Sequence, residues 1–243
     1  MKLQAILSAI TITYLSSVAN AQIVLNANQT YSQNFDGMGS SLSLPSNWKA
    51  RYNDPSPTWT ENVTTVDFQA SSGSPTSAGT YNWGTTAGID RAIGVLQASG
   101  GSKTSSLIAY FSIADAGMTQ LHLQYDAEQY YKNNADMYVK VFTSTDGGSW
   151  TENVPARVGP FPWSVSPVYT FASPWTSTVS TDITLSQSTP GDLFIQFQFS
   201  PFTQGVAVDN ISITVVPEPT TIALFLSASL IFGYKSARKN KNT

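Results

Sequence analysis

The chain of 243 residues contains no cysteine and one histidine, His122. Without cysteine there can be no disulfide, no thiolate nucleophile and no cysteine-ligated zinc or iron–sulfur site. One histidine also excludes a zinc site built from several imidazoles, and any Ser-His-Asp triad would have to be assembled around it. His122 lies within a strand pattern and is expected to be a polar-face residue of that strand. Without disulfides, the fold must be held together by its core, helped at most by a bound metal.

Charged residues are scarce as well, at 11% of the chain, and they are unevenly distributed. The terminal segments 1–21 and 217–243 hold five of the 12 basic residues and one of the 15 acidic residues. The body, residues 22–216, keeps 7 basic and 14 acidic residues, a formal net charge of −7. An acidic body repels phosphate backbones and lacks a basic footprint, so we expect no nucleic-acid partner.

The apolar run near the C-terminus, residues 222–234, is short for a membrane span. As a helix it would be roughly 20 Å long, against a hydrocarbon core of about 30 Å. Pro217 and Pro219 precede it and remove backbone donors, so an upstream strand must end there. Four basic residues follow it: Lys235, Arg238, Lys239 and Lys241. We predict a short C-terminal transmembrane helix that inserts transiently and is marginal as a permanent anchor; the alternative is a C-terminal core helix.

The N-terminus has the features of a secretory signal peptide. Lys2 supplies a small positive region, residues 3–18 are apolar and hydroxyl-rich, and Ala19-Asn20-Ala21 matches the small-x-small cleavage pattern. We predict a signal peptide over residues 1–21, cleaved before Gln22. Basic residues near both termini are expected to keep the two termini on the cytoplasmic side of the membrane, so the body between them is expected to be exported.

The C-terminal segment 216–243 resembles the PEP-CTERM sorting signal of bacterial surface proteins, which a membrane-embedded exosortase processes. The resemblance implies an exosortase-type enzyme as a partner. It also implies export to the cell envelope, the cell surface or the extracellular matrix of a Gram-negative-type bacterium, where exopolysaccharide and biofilm are found. The residues that carry it are Val216, Pro217, Glu218, Pro219, Arg238 and Lys239.

Between the two signals, residues 22–215 are patterned as short β-strands. Clusters of serine, threonine, asparagine, glycine and proline separate short apolar or alternating runs, and no stretch sustains a helical period. Leu193, Ile195 and Phe197 alternate with polar residues, as in a half-buried strand. We predict one all-β domain, an antiparallel two-sheet β-sandwich of jelly-roll type.

The last predicted strand contains a change of phase. Its apolar residues fall on even positions up to Val208 and on odd positions from Ile211 onwards. Because side chains alternate between the two faces of a strand, this change requires an extra residue, most simply a β-bulge at Asp209-Asn210. A bulge would free Asp209 or Asn210 to serve something other than solvent.

Asn34-Phe35-Asp36 and Val208-Asp209-Asn210-Ile211-Ser212 resemble the first and last strands of laminin-G-like and carbohydrate-binding jelly rolls. In those relatives, acidic groups where the terminal strands meet often bind a structural calcium. The resemblance implies calcium ligands at Asp36, Asp209 and Asn210, which would supply only part of the roughly six to eight oxygens that calcium takes. The alternative for Asp36, which precedes a glycine, is a turn aspartate.

Three further stretches resemble a set of uncharacterised PEP-CTERM proteins with tryptophan-glycine, Asp-Arg-Ala-Leu-Gly and Glu-Gln-Trp-Arg patterns. They are Trp83-Gly84, Asp90-Arg91-Ala92-Ile93-Gly94 and Glu128-Gln129-Tyr130. In this chain Ile93 replaces the leucine and Tyr130-Tyr131 replaces tryptophan-arginine, so a contact made by that arginine is not implied here. No activity is known for that set, so the resemblance implies none.

Two classes of function remain open from the residues alone. Paired carboxylates are the one hydrolytic chemistry that the composition permits, with Glu61, Glu128 and Glu152 as candidate acids. Tryptophans on loops can stack sugar rings, although they can equally anchor those loops to the sandwich. The loop candidates are Trp48, Trp59, Trp83, Trp163 and Trp175.

We therefore expect a noncatalytic exported protein of the cell surface or extracellular matrix that binds polysaccharide. The alternative is a secreted, carboxylate-dependent glycoside hydrolase on the same fold.

Overall fold

The computed structural model describes residues 22–54, 58–61, 64, 67–70, 78–85, 89–96, 104–131, 137–161, 174–185, 190–200 and 205–217. The predicted signal peptide and the predicted sorting signal from Glu218 onwards lie outside these residues. Within these ranges no helix has the length and apolar character needed to cross a membrane.

The described part of the chain forms short strands joined by turns. Alternating or continuous apolar runs become strands because each pleated segment can place side chains on a buried face. The strands are β1 (Ile23–Leu25), β2 (Thr30–Gln33), β3 (Trp48–Arg51), β4 (Asp67–Ala70), β5 (Gly79–Gly84), β6 (Arg91–Leu96), β7 (Ser105–Ile113), β8 (Met118–Tyr131), β9 (Val139–Ser144), β10 (Thr151–Glu152), β11 (Trp175–Thr184), β12 (Gly191–Phe199) and β13 (Gly205–Pro217).

These strands make two sheets. The first runs β1-β7-β12-β9-β10, with β3 also paired to β7, and the second runs β11-β8-β13-β6-β5-β4, with β2 also paired to β13. One core cluster takes side chains from both sheets, including Phe111 and Phe197 from the first and Tyr125 and Ile213 from the second. The predicted β-sandwich is therefore confirmed.

Two strand pairs differ from the predicted antiparallel arrangement. β1 pairs with β7 in parallel, and β4 pairs with β5 in parallel. No tight hairpin turn joins either pair, so turn geometry does not impose an antiparallel direction on them. The remaining pairings between the named strands are antiparallel.

The bulge predicted in the last strand is confirmed. β13 pairs with β8 along its length, but the register shifts by one residue between Asp209 and Ser212. On its other side β13 pairs with β6 up to Val208 and with β2 from Ile211. Asn210 has a φ of 48°, in the left-handed region. The bulge thus lies where β13 changes partner, and it leaves an opening between the end of β2 and the start of β6.

The half-buried character predicted for β12 is wrong on its polar side. Gln196 is 1% exposed and donates a hydrogen bond to Ser106 Oγ over 2.6 Å. Phe194, two residues earlier on the same face of β12, belongs to an aromatic layer on the outside of the first sheet. Trp59 lies against Tyr110 and Phe194, with ring centroids 5.6 and 5.7 Å away.

Candidate functional site

Stretches that the sequence singled out separately meet beside the bulge. Gly94 of β6 pairs with Ala207 of β13, and Ala207 pairs with Glu128 of β8, so one rung crosses three strands. At the opening between β2 and β6, the backbone N–H of Arg91 donates to Asp36 Oδ1 over 3.0 Å. Strand register therefore brings residues that are distant in the chain to one junction.

Two of the motif similarities have a packing explanation at this junction. A Cβ atom at Gly94 would lie 2.0 Å from the carbonyl oxygen of Val206 and 2.3 Å from Ala207 Cα, so only glycine fits. Trp83 stacks on Tyr130 with centroids 5.1 Å apart and 13° between the rings. Residues from two of the sequence motifs thus form one aromatic pair.

Glu128 is a buried acid within this junction. Its side chain accepts a hydrogen bond from Tyr130 Oη over 2.6 Å, and the residue is 6% exposed. Burial raises the pKa of Glu128 to about 7; the Tyr130 hydrogen bond opposes this, and the negative charges of Asp90 and Asp126 add to it. Glu128 is therefore largely protonated under mildly acidic conditions.

Asp209 is a second buried acid nearby, 1% exposed, and its Oδ1 has no hydrogen-bond partner. Burial raises the pKa of Asp209 to about 8; the Asn210 N–H opposes the rise, whereas Glu128, Asp90 and Asp36 add to it. At neutral pH Asp209 holds a proton because ionising it would leave an uncompensated buried charge.

The three predicted calcium ligands are only partly brought together. Asp36 lies at the start of β6, where its Oδ1 accepts the Arg91 N–H, and its charge adds to the effect of burial in raising the pKa of Asp209. Asp36 Oδ2 already accepts a hydrogen bond from Asn34 Nδ2, and Asn210 Nδ2 donates to Asp126 over 2.9 Å. Asp36 also opens a short 3-10 turn, as the turn alternative predicted. In the described part of the chain, no three aspartate, glutamate or histidine side chains converge on a metal position.

The remaining predicted residues are separated from this junction or lie outside the described part. Glu152 is in β10 of the other sheet, 3.8 Å from Lys140 Nζ, so it is not paired with Glu128. The side chain of Glu61 lies outside the described part. Val216 and Pro217 end β13, whereas the other sorting residues, Glu218, Pro219, Arg238 and Lys239, are not described.

The described tryptophans favour anchoring over display. Trp48 and Trp83 are 0% exposed. Trp175 is partly buried against the core. Trp59 packs on the outer aromatic layer under the Lys49 ammonium group, which lies 4.3 Å from the ring centroid. Trp163 lies outside the described residues. None of these four candidate tryptophans thus presents an unobstructed ring face on which a sugar could stack.

A polar surface on the second sheet was missed by the sequence analysis. Its outward side chains come from β2, β13, β8 and β11, which lie next to one another although they are far apart in the chain. Nine of the twelve carry hydroxyl or amide groups. We call this surface the polar face: Thr30, Ser32, Gln120, His122, Gln124, Asp126, Thr178, Ser180, Asp182, Thr184, Ser212 and Thr214.

Hydrogen bonds link neighbouring strands across the polar face. The hydroxyls of Thr30 and Thr214 lie 2.7 Å apart. His122 Nδ1 lies 2.7 Å from Asp182 Oδ1, and its Nε2 lies 3.3 Å from Ser180 Oγ. Ser180, His122 and Asp182 are thus connected in the same way as the residues of a Ser-His-Asp hydrolase triad. However, the His122 and Asp182 side chains are 43% and 64% exposed, so water, and not preorganised donors, would surround an oxyanion. We assign them to the surface network, as predicted for His122.

A cleft of about 450 Å³ lies at the margin of the polar face, beside the bulge. It is lined by Ser32, Gln33, Asn34, Asn210, Ile211 and Ser212. Five of these six residues bear an amide or a hydroxyl, which can both donate and accept hydrogen bonds. The cleft is thus uncharged and suited to a ligand rich in hydroxyl groups.

No protein-family model matches this chain, and no curated protein matches it. Solved structures with a similar chain path include the module CBM27-1 of Caldicellulosiruptor saccharolyticus in complex with mannohexaose. It has a TM-score of 0.41 and 12% identity, covering 76% of this chain and 97% of that chain. The K1 cleaved adhesin domain of Lys-gingipain from Porphyromonas gingivalis has a TM-score of 0.40 and 14% identity, covering 76% and 98%.

The enzymatically active domain of tailspike protein 4 from bacteriophage CBA120 is also similar, with a TM-score of 0.39 and 12% identity. The match covers 75% of this chain but only 21% of that chain. These are distant similarities, and no site residue is transferred from them.

Proposed function

We propose that this chain is a noncatalytic exported protein of the cell surface or extracellular matrix, whose jelly-roll sandwich binds polysaccharide. The observation that carries the proposal is the polar face with its uncharged cleft. Sugar hydroxyls need partners that both donate and accept, which serine, threonine, asparagine and glutamine provide. Short hydroxyl side chains also lose less rotamer entropy on binding than lysine or arginine would.

The charge of the polar face favours a neutral polysaccharide. Its only charged carboxylates are Asp126 and Asp182, and its only basic side chain is His122. The body around it has a formal net charge of −7. Like charges repel, so a glycan carrying uronic acids would be disfavoured.

Affinity electrophoresis in gels containing neutral glucan, xylan or mannan, with alginate as the acidic comparison, tests this proposal. Ser32 and Ser212 are register partners that both line the cleft. The Ser32→Ala/Ser212→Ala variant loses two hydroxyls, each contributing about 0.5–1.5 kcal/mol, so we expect a roughly tenfold rise in Kd. The control Ser112→Ala/Thr151→Ala removes hydroxyls from the other sheet and should bind normally. Equal loss in both variants, or retardation only by alginate, would contradict the proposal.

The proposed sorting by an exosortase-type enzyme, with transient membrane contact, is supported by the terminal sequences alone. Mass spectrometry of the protein from fractionated cells is the direct measurement. We expect a mature chain that begins at Gln22 and lacks the basic tail. Released protein that still carries residues 235–243 would exclude processing of this kind.

Glycoside hydrolysis is the second candidate, and the raised pKa of Glu128 favours it, because a general acid must hold a proton near neutral pH. Two observations favour the noncatalytic proposal over it. Glu128 is 6% exposed, which leaves little access for a substrate. Its buried neighbour Asp209 has a pKa of about 8, so it would not supply the ionised carboxylate that the mechanism needs.

We also propose a structural calcium at the opening beside the bulge, supported by the unpartnered Asp209 Oδ1 and its acidic neighbour Asp36. Asp36, Asp209 and the Asn210 carbonyl would hold the ion, whose charge would favour ionised Asp209. Calcium titration at pH 7 should then raise the thermal midpoint of the wild type but not that of Asp209→Asn. An unchanged wild-type midpoint would remove this proposal.

A further inference from the structure

The cleft beside the bulge has two neighbouring clefts. All three are lined by parts of one segment, residues 32–49, which leaves β2 in the second sheet and enters β3 in the first. The second cleft, of about 350 Å³, shares Gln33 with the first. The third, of about 310 Å³, shares Ser43 and Pro45 with the second. The three clefts therefore follow one another along the connection between the two sheets.

The second and third clefts combine apolar and hydroxyl groups. Phe35 and Met38 line the second cleft and are buried, so they form its floor. Ser41 and Ser43 line the same cleft and are exposed, so their hydroxyls can reach a ligand. The third cleft repeats this combination with buried Leu44 and Trp48 and exposed Ser46 and Thr64. A sugar ring has apolar C–H faces and a rim of hydroxyls, so such a lining suits it.

The charge of the clefts also favours a neutral ligand. Among the described residues that line them, Lys49 is the one charged side chain. Its Nζ donates to the carbonyl oxygen of Trp59 over 3.1 Å and lies 4.3 Å from the centroid of that ring. The ammonium group thus holds Trp59 in place at the far end of the series.

Hydrogen bonds fix the lining segment without a ligand. Asn82 of β5 is 0% exposed, and its Nδ2 donates to the carbonyl oxygens of Gly39 and Ser41 over 3.0 and 3.1 Å. Further along, the Tyr110 N–H donates to the carbonyl oxygen of Asn47 over 2.9 Å. Because the segment is held in advance, little of its conformational entropy remains to be lost on binding.

We propose that one linear polysaccharide chain occupies the three clefts in succession, so that the protein binds an internal stretch of that chain. This extended site rests on the neutral-polysaccharide binding proposed for the first cleft. Once the first sugars are bound, further sugars of the same chain lose little additional translational freedom, so their contacts add to the affinity. Affinity should therefore rise with the number of sugar units until the third cleft is filled, and then stay constant.

Isothermal titration calorimetry with length series of gluco-, xylo- and manno-oligosaccharides tests the extended site. Ser43→Phe adds a ring at the position that lines both the second and the third cleft. We expect this variant to bind the shortest oligosaccharide that wild type binds with an unchanged Kd. For the longest oligosaccharide its Kd should rise roughly tenfold, because the contacts beyond the first cleft are lost.

Leu42→Phe is the matched control. Leu42 adjoins Ser43 and is 49% exposed, but it lines none of the three clefts. The same ring at position 42 should leave the Kd within about twofold of wild type at every length. Ser46→Phe, at an exposed position of the third cleft, replaces Ser43→Phe if that variant does not fold.

The outcomes separate the extended site from the proposed function. A wild-type Kd that does not depend on length, or equal effects of Ser43→Phe and Leu42→Phe, would overturn the extended site and leave binding at the first cleft intact. A wild type that binds no oligosaccharide and no polymer of the three series would overturn the proposed function and the extended site together.

Discussion

Asp209 and Glu128 are carboxylic acids enclosed at the junction of three strands. They are 1% and 6% exposed, and three neighbouring carboxyl groups, Asp36, Asp90 and Asp126, raise one or both of their pKa values. Arg91 is buried too, but its backbone N–H, and not its guanidinium, bonds to Asp36. The native state therefore stabilises the neutral acids, whereas an unfolded chain would ionise them.

These two buried acids should make the stability of the protein depend on pH. Glu128 and Asp209 have native pKa values of about 7 and about 8, above the ordinary values of 4.5 and 3.8. Between those limits the native state binds more protons than the unfolded state, so the free energy of unfolding falls as pH rises. In calcium-free buffer, thermal midpoints measured from pH 4.5 to 8.5 should decrease steadily.

Neutral isosteres identify the groups responsible for that slope. Asp209→Asn and Glu128→Gln should each flatten it, and the double variant should remove most of it. Asp54→Asn, which neutralises a carboxylate beside Arg51 and away from the junction, serves as the control and should keep the wild-type slope. A midpoint that rises with pH over this range, or variants with an unchanged slope, would show that the two acids are not protonated in the native state.

At the residue scale, the sequence identified Asp209 and Glu128 as candidates but did not predict that they are buried or that they lie close together. The change of apolar phase identified Asp209, and Glu128 was one of three candidate acids. Their proximity depends on the register between β8 and β13, which a single sequence does not contain. The burial of Trp48 and Trp83 was equally hidden, because loop-like neighbours give no measure of depth.

The bulge in β13 is the element that gives the junction its shape. Asn210 supplies the left-handed conformation, and β13 changes partner from β6 to β2 around it. In a regular strand Asn210→Val would be neutral or stabilising, because valine favours extended backbone. At a φ of 48° the same change should be unfavourable.

Urea unfolding of Asn210→Val and Asn210→Gly tests the bulge. Both variants lose the bond from Asn210 Nδ2 to Asp126, so their difference isolates the backbone conformation. We expect the valine variant to be less stable than the glycine variant by about 1–2 kcal/mol. Equal midpoints, or a more stable valine variant, would mean that position 210 is ordinary strand.

β6 and β13 approach each other so closely at Gly94 that a larger residue should destabilise the fold. At Gly94 a methyl group would meet backbone atoms of β13 at 2.0 and 2.3 Å, and backbone cannot rotate away. Gly94→Ala should therefore lower the free energy of unfolding by about 1–3 kcal/mol or more. Gly37→Ala has no atom within 4 Å of the new methyl group and should change stability by less than about 0.5 kcal/mol. Similar effects at both glycines would argue against the close approach.

Strands with strict alternation could be predicted, and strands without it could not. β12 and β13 were expected from the alternation of their apolar residues, and the structure contains both. β5 was missed because Trp83, between an asparagine and a glycine, was interpreted as a loop residue, although all six residues of the strand are buried. β11 was missed because its threonines and serines resemble a loop, although pairing with β8 makes it a regular strand.

At the scale of the whole molecule, the sandwich separates two kinds of outer surface. The first sheet is covered by the aromatic layer of Trp59, Tyr110 and Phe194, while part of the second exposes the polar face. The sequence predicted the two-sheet body and its acidic charge. It could not predict the polar face, because its four strands come from separate parts of the chain.

The most direct test of noncatalytic polysaccharide binding follows protein and glycan in one experiment. Wild type and Glu128→Gln are incubated with the neutral polysaccharide that gives the strongest retardation, and the mixture is analysed by size-exclusion chromatography with a reducing-end assay. We predict that both proteins elute with the glycan and that its chain length stays unchanged. Shortened glycan and new reducing ends with the wild type, absent with Glu128→Gln, would contradict the account and establish a carboxylate-dependent hydrolase.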